Sequence, residues 1–148
     1  MRLLQWQFMM TINDLKASIA DNMDERVAQV CLAIIDRMAN MEPAQMERLT
    51  YRLLAHMAHR SVEDKIFQSA VTTLTSAEHH PLVMYFLFYD EDENREVSVS
   101  SSDAMQSVKD GYFIHPRTGE EIYDFTKLLI PAFKPSTEFL RCITTDGD

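Results

Sequence analysis

Between residues 11 and 75 apolar side chains recur every three or four positions, the spacing of one face of a helix. Thr11 followed by Asp14 is a helix-start signal ahead of Ile12, Leu15 and Ile19. From Asp24 a wider stripe of Val27, Val30, Cys31, Ile34, Ile35 and Met38 stands against polar Glu25, Arg26, Gln29, Asp36 and Arg37. That contrast predicts an amphipathic helix. Pro43 fits the first turn of another helix, whose apolar positions are Met46, Leu49, Leu53, Leu54 and Met57 and whose end falls near His59. Ser61 with Asp64 then opens a helix over Val62, Ile66, Phe67, Ala70, Val71 and Leu74, ending near Thr75.

The period changes after Pro81. Residues 82–89 are a run of aliphatic and aromatic side chains, and residues 96–100 alternate, with Val97 and Val99 on one face and Ser98 and Ser100 on the other. Residues 90–95 are polar and join the two runs as a β-hairpin. Ser102 and Asp103 open a short helix with Ala104, Met105 and Val108 as its apolar face, and Gly111 suits a left-handed cap. A second hairpin is predicted from residues 112–114 and 120–123 around a turn at 116–119, with Tyr112, Phe113 and Ile122 toward the core. Phe125, Leu128 and Leu129 allow one helical turn before Pro131 and Pro135 stop it. The class is α+β in one domain, with a helical part over residues 11–81, a β-rich part over 82–143 and a frayed tail over 144–148. Residues 1–10 read as an extension, and translation could begin at Met9 or Met10; its Leu3, Leu4, Trp6 and Phe8 would otherwise want a partner surface.

Composition narrows the classes. With 46% apolar residues among 148, the chain can bury a core without disulfides or a structural metal. No apolar run reaches the ~18 to 20 residues that span a bilayer, so no membrane partner is expected. Cys31 and Cys142 are far apart in sequence and read as reduced thiols, which implies a cytoplasmic setting. Acidic residues outnumber basic ones by 23 to 14, a net charge of -9 that opposes general attraction to nucleic acid. Ten methionines leave adaptable apolar surface for a core or a partner.

The step His59, Arg60 and Ser61 between two helices, followed by a hairpin, resembles a winged helix-turn-helix over residues 49–100. Leu53, Leu54 and Met57 fall on its first helix, and Ile66, Phe67, Val71 and Leu74 on its second. The resemblance implies nucleic-acid binding through the second helix, whose solvent positions are Glu63, Asp64, Lys65, Gln68, Ser69, Thr72 and Thr73. Two acids against one lysine, and a wing tip of Asp90, Glu91, Asp92 and Glu93, depart from that chemistry.

Arg48, Arg52 and His56 fall at four-residue spacing, with Arg60 beyond them, and like charges so spaced repel unless an anionic partner or an internal acid compensates. His115 and Arg117 stand at the turn of the second hairpin, a rigid place from which to meet a partner. The run Asp90, Glu91, Asp92 and Glu93 forms an acidic face, either a solvated loop tip or an imitation of phosphate charge. Glu78, His79 and His80, or His56 and His59, supply too few convergent ligands for a metal. With glycine only at 111, 119 and 147, no phosphate-cradling loop exists, and neither a nucleophile elbow nor a catalytic cysteine signature is present. No cofactor or catalytic residue is assigned.

Three functions remain open. The leading one is a non-enzymatic adaptor or accessory subunit on a winged-helix-like core, contacting a protein or a second copy through Arg48, Arg52, His56, Arg60, Lys65, His115 and Arg117. The second is a nucleic-acid-binding regulator using Arg48, Arg52, Arg60 and Lys65. The third is an acidic inhibitor that imitates nucleic acid through residues 90–93.

Overall fold

The computed structural model describes residues 10–21, 23–77 and 80–146, with backbone only at 144–146. The expected extension, apart from Met10, falls outside these residues, as do Glu78, His79 and the last two residues of the tail. The fold is α+β, a helical N-terminal half followed by strands and a short helix. By its contacts the chain forms two compact units, one of residues 1–83 with 134–148 and one of Met84–Phe133.

The first unit contains helices α1 (Ile12–Asp21), α2 (Glu25–Ala39), α3 (Tyr51–Met57), α4 (Lys65–Ser76) and α6 (Thr137–Asp146), with a 3-10 turn at Pro43–Met46. Local caps set their starts. Thr11 Oγ1 accepts the Asp14 N–H at 3.1 Å while Asp14 accepts the Thr11 N–H at 3.1 Å, so two unpaired donors satisfy each other reciprocally. Asp24 accepts from the Arg26 N–H and Asp64 from the Ile66 N–H, each at 2.9 Å. The apolar faces then close over one another. α2 packs on α4 and α1, and α1 on α6, burying Leu15, Cys31, Ile34, Ile35, Met38, Phe67, Leu74 and Phe139 almost completely.

Three expectations for this unit change. The helix predicted from Pro43 to His59 is split, because Thr50 takes an extended conformation and its hydroxyl accepts the Leu53 N–H at 3.1 Å, restarting the helix at Tyr51. The next helix begins at Lys65 under Asp64 rather than at Ser61, so Val62 lies outside it and is exposed. The connection between α3 and α4 is therefore longer than the step His59, Arg60 and Ser61, and it turns through His59 at φ 56°. The tail is helical through Asp146, the end of α6, whose start is capped by Ser136 Oγ accepting the Phe139 N–H at 3.0 Å.

The second unit is built on strands β1 (Leu82–Asp90), β2 (Arg95–Ser100) and β5 (Leu129–Pro135) in the order β2–β1–β5, so β1 is central. In the antiparallel pairing Phe86 faces Val99 and Phe88 faces Val97, as the alternation of valine and serine predicts. Phe88, Val99, Phe113 and Phe125 form the core on that face, while Tyr85, Leu87 and Ala132 cluster separately. A central strand covered on both faces reads as an unbroken apolar run, which explains residues 82–88. Helix α5 (Ser101–Asp110) is capped by Ser100 and ends at Gly111 with φ 84°. A small hairpin follows, β3 (Phe113–Ile114) with β4 (Glu121–Ile122), and then a 3-10 turn at Phe125–Lys127. Pro131 does not stop the chain here. It lies in β5, an edge strand, where a missing backbone donor is tolerated.

Candidate functional site

The polar residues singled out by sequence are largely engaged within the fold. Asp90 ends β1 and is only 2% exposed, so it belongs to no exposed acidic face. Arg117 reaches it from the β3–β4 turn: Nε donates to Asp90 Oδ2 at 2.9 Å and Nη2 to Oδ1 at 3.3 Å. The same guanidinium meets Asp92 Oδ2 at 3.2 Å and Glu93 Oε1 at 3.7 Å. The Asp92 and Glu93 N–H groups also donate to Asp90 Oδ1, at 3.1 and 3.3 Å, which shapes the turn that Asn94 closes at φ 52°. Arg117 beside it, helped by the Glu93 N–H, holds the Asp90 carboxyl down at about 2 against the pull of burial. The Arg117 guanidinium is raised in turn by the same hydrogen bond.

His115 completes this cluster. Its Nδ1 accepts the Arg117 and Thr118 N–H groups at 3.1 and 3.2 Å, so the ring proton lies on Nε2, which faces Asp90 Oδ2 at 3.7 Å. Phe88 meets the ring edge-on at a centroid distance of 5.1 Å. Nδ1 is hydrogen-bonded twice, while Nε2 lies beside the carboxylate at more than hydrogen-bond distance. A carboxylate beside an imidazole is the geometry of a general base, but here it fastens one hairpin tip to the other. His115 and Arg117 thus turn toward Asp90 rather than standing at a free tip.

The basic stripe is also altered. Arg48 precedes the cap of α3, so only Arg52 and His56 keep their helical spacing. Arg60 Nη1 meets Asp64 Oδ2 at 2.8 Å, and the Ile66 N–H together with Arg60 holds the Asp64 carboxyl below its usual range. On α4, Lys65 is exposed in the first turn; Thr72 Oγ1 and Thr73 Oγ1 donate to the Gln68 and Ser69 carbonyls at 3.0 Å, and Gln68 Nε2 donates to the Val62 carbonyl at 3.1 Å. Gln68, Thr72 and Thr73, side chains suited to base contact, are bound to nearby backbone carbonyls. Cys31 donates toward the Ala70 carbonyl, and burial pushes its thiol up to about 12, the state of a packed side chain rather than a nucleophile. Among the described residues no three His, Cys, Asp or Glu side chains converge as metal ligands, and no helix is long and apolar enough to cross a membrane.

A different surface emerges in residues 84–133. In β3 only Phe113 points to the core; Ile114 is 47% exposed and Tyr112 is half-buried on the outward side. Tyr123, 68% exposed, lies beside Tyr112 with ring centroids 5.9 Å apart, and its hydroxyl donates to Glu121 Oε1 at 2.6 Å. That bond raises the phenol above its ordinary value. Tyr112 and Ile114 form one wall of a groove of about 300 Å³ whose other walls come from β2 and α5. On α5, Ala104 and Ser107 face the core while Met105 and Val108 are exposed, correcting the predicted apolar face. The alternation Tyr112, Phe113, Ile114 carried this signal, since neighbours in a strand cannot all face the core. Comparison with protein-family models, curated proteins and solved structures gives no match.

Proposed function

We propose that this chain is a non-enzymatic adaptor or accessory subunit of a cytosolic protein assembly, retaining a winged-helix-like helical core and contacting its partner through the outer face of the β3–β4 hairpin. The carrying observation is the exposure of Ile114 and Tyr123 on either side of half-buried Tyr112, beside a groove. Exposed large side chains scattered singly are ordinary, but joined aromatic and aliphatic ones beside a concavity mark a contact surface. Tyrosine suits such a surface because it brings contact area with few rotatable bonds.

Electrostatics favours protein over nucleic acid. Residues 84–133 carry ten acidic and four basic side chains, a net -6, and Arg117 is bound by three of those acids. The mimic reading is weakened by the same cluster, because Asp90 is buried and Asp92 and Glu93 share a guanidinium.

Isolation of the tagged full chain from its own host, followed by mass spectrometry, tests the proposal. A stoichiometric protein companion is expected, lost on Ile114→Ser with Tyr123→Ser and retained on Arg52→Ala with Arg60→Ala. Nucleic acid as the sole companion, released as salt rises, would overturn the proposal in favour of the regulator.

A further inference from the structure

The groove beside the hairpin has a consistent chemical character. Val99, Phe113, Ile114 and Pro116 make it apolar, and among the described residues the only charged side chains lining it are Asp103 and Asp110 of α5. Lys109 of the same helix is not among the lining residues. Asp110 accepts from Gln106 Nε2 at 2.9 Å, which fixes the carboxylate at the wall. Ser98 and Val99 both contribute although neighbours in a strand face opposite ways. The groove therefore reaches the margin of β2, and β2 is an edge strand of its sheet.

We infer that this groove takes an extended, lysine- or arginine-bearing segment of a partner protein, seating an apolar side chain against Ile114 and Val99 and its cation at Asp103 and Asp110. The inference rests on the adaptor reading and deepens it. Three features select this occupant. The rim acids, within a unit of net charge -6, complement a cation and repel an acidic segment. The apolar walls favour a side chain over a hydrated ion. An edge strand is the element along which an extended segment aligns. A second copy of this chain is disfavoured, because two units of the same negative charge would face each other.

The test uses the full chain labelled for nuclear magnetic resonance and two synthetic peptides, one alternating lysine with leucine and one alternating glutamate with leucine. The lysine peptide is expected to shift the amides of Ser98, Gln106, Tyr112 and Ile114, while the glutamate peptide leaves them unmoved. Asp103→Asn with Asp110→Asn should weaken binding roughly tenfold, as two partly exposed ion pairs are lost, and Glu63→Gln with Glu91→Gln, exposed acids away from the groove, should leave it unchanged. The asparagine variants preserve side-chain shape, and their amide spectra report folding independently of binding.

Equal shifts from both peptides, shifts confined to other surfaces, or indifference to Asp103→Asn with Asp110→Asn would overturn the inference. The two readings fail separately. A host complex that depends on Ile114 and Tyr123 but ignores the two asparagine changes would leave the adaptor standing and remove the basic segment. Groove binding by the lysine peptide without any stoichiometric host protein would do the reverse.

Discussion

The helical unit and the unit of residues 84–133 use their apolar residues differently. In the first, Ile34, Ile35, Met38, Phe67 and Leu74 are all fully buried, and the polar residues at helix ends serve as local caps. In the second, the buried residues fall into two small clusters, Phe88, Val99, Phe113 and Phe125 in one and Tyr85, Leu87 and Ala132 in the other, while Ile114 and Ile130 stand near half exposure and Tyr123 at 68%. A charged cluster ties its two hairpin tips together. One unit, Leu53 and Val62 apart, places its large apolar side chains where they stabilise the fold; the other leaves a larger and more exposed part of them where they can stabilise a complex. The sharpest test is Phe67→Ala, which opens a cavity in the helical core and should cost about 3 to 5 kcal/mol in urea unfolding. A loss below about 1 kcal/mol would break the contrast, because truncating a fully buried aromatic has no cheaper outcome unless the core is loose.

The charged cluster should give the second unit an acid sensitivity of its own. Asp90 is held at about 2, below the value of about 3.9 for an unfolded aspartate, so the unfolded chain takes up the proton first as pH falls. Its stabilising contribution is complete above the unfolded value and is lost as pH drops through about 2. Amide exchange at His115 and Gly119, whose N–H groups close the β3–β4 turn, is the direct readout. Protection there, taken relative to the intrinsic exchange rate at each pH, should fall over that acid window in the native chain. Arg117→Ala should show fast exchange already at neutral pH and a flattened acid response. An unchanged profile would mean that the turn stands without the cluster.

What the sequence made legible follows the same division. The amphipathic stripes of α1 and α2 and the signal at Thr11 are local, and structure and pattern coincide there. The break at Thr50 was hidden because Met46, Leu49 and Leu53 continue a helical spacing through it, although Leu53 is exposed. Pro131 and Pro135 read as stops because a proline's tolerance depends on whether its strand lies at an edge, which is a property of the sheet. The joining of Asp90 to Arg117 spans 27 positions, and no short-range pattern encodes it. His115 and Arg117 lie at the turn between β3 and β4, as Pro116 and Gly119 predict, but their direction is set by a buried carboxylate that reads in sequence as part of a solvated run.

Backbone substitutions sharpen the comparison at a smaller scale. Thr50→Ala removes the hydroxyl that restarts α3 and should cost about 1 kcal/mol, as the loss of an N-cap does elsewhere. Gly111→Ala in the second unit should cost about 1 kcal/mol for a different reason. A methyl group there meets nothing within 4 Å, so the cost comes from the left-handed backbone at φ 84°. Urea unfolding of both variants checks these values, and a Gly111→Ala protein as stable as its parent would mean that the end of α5 relaxes out of that conformation.

The smallest expected effect on stability is also the most informative about the contrast. Tyr123 is 68% exposed, and its hydroxyl bonds to an equally solvent-facing Glu121, so Tyr123→Ser should move unfolding by no more than about 0.5 kcal/mol. A side chain that matters to the fold could not be removed so cheaply. If the β3–β4 face serves a partner, the same change should weaken the host complex at least tenfold, since tyrosines at the centre of a contact commonly contribute about 2 kcal/mol or more. A fall in stability with no fall in binding would reverse the assignment, making the Tyr112–Tyr123 pair a brace for the hairpin. Stability and binding measured on one purified variant thus decide whether the exposed ring belongs to the fold or to its partner.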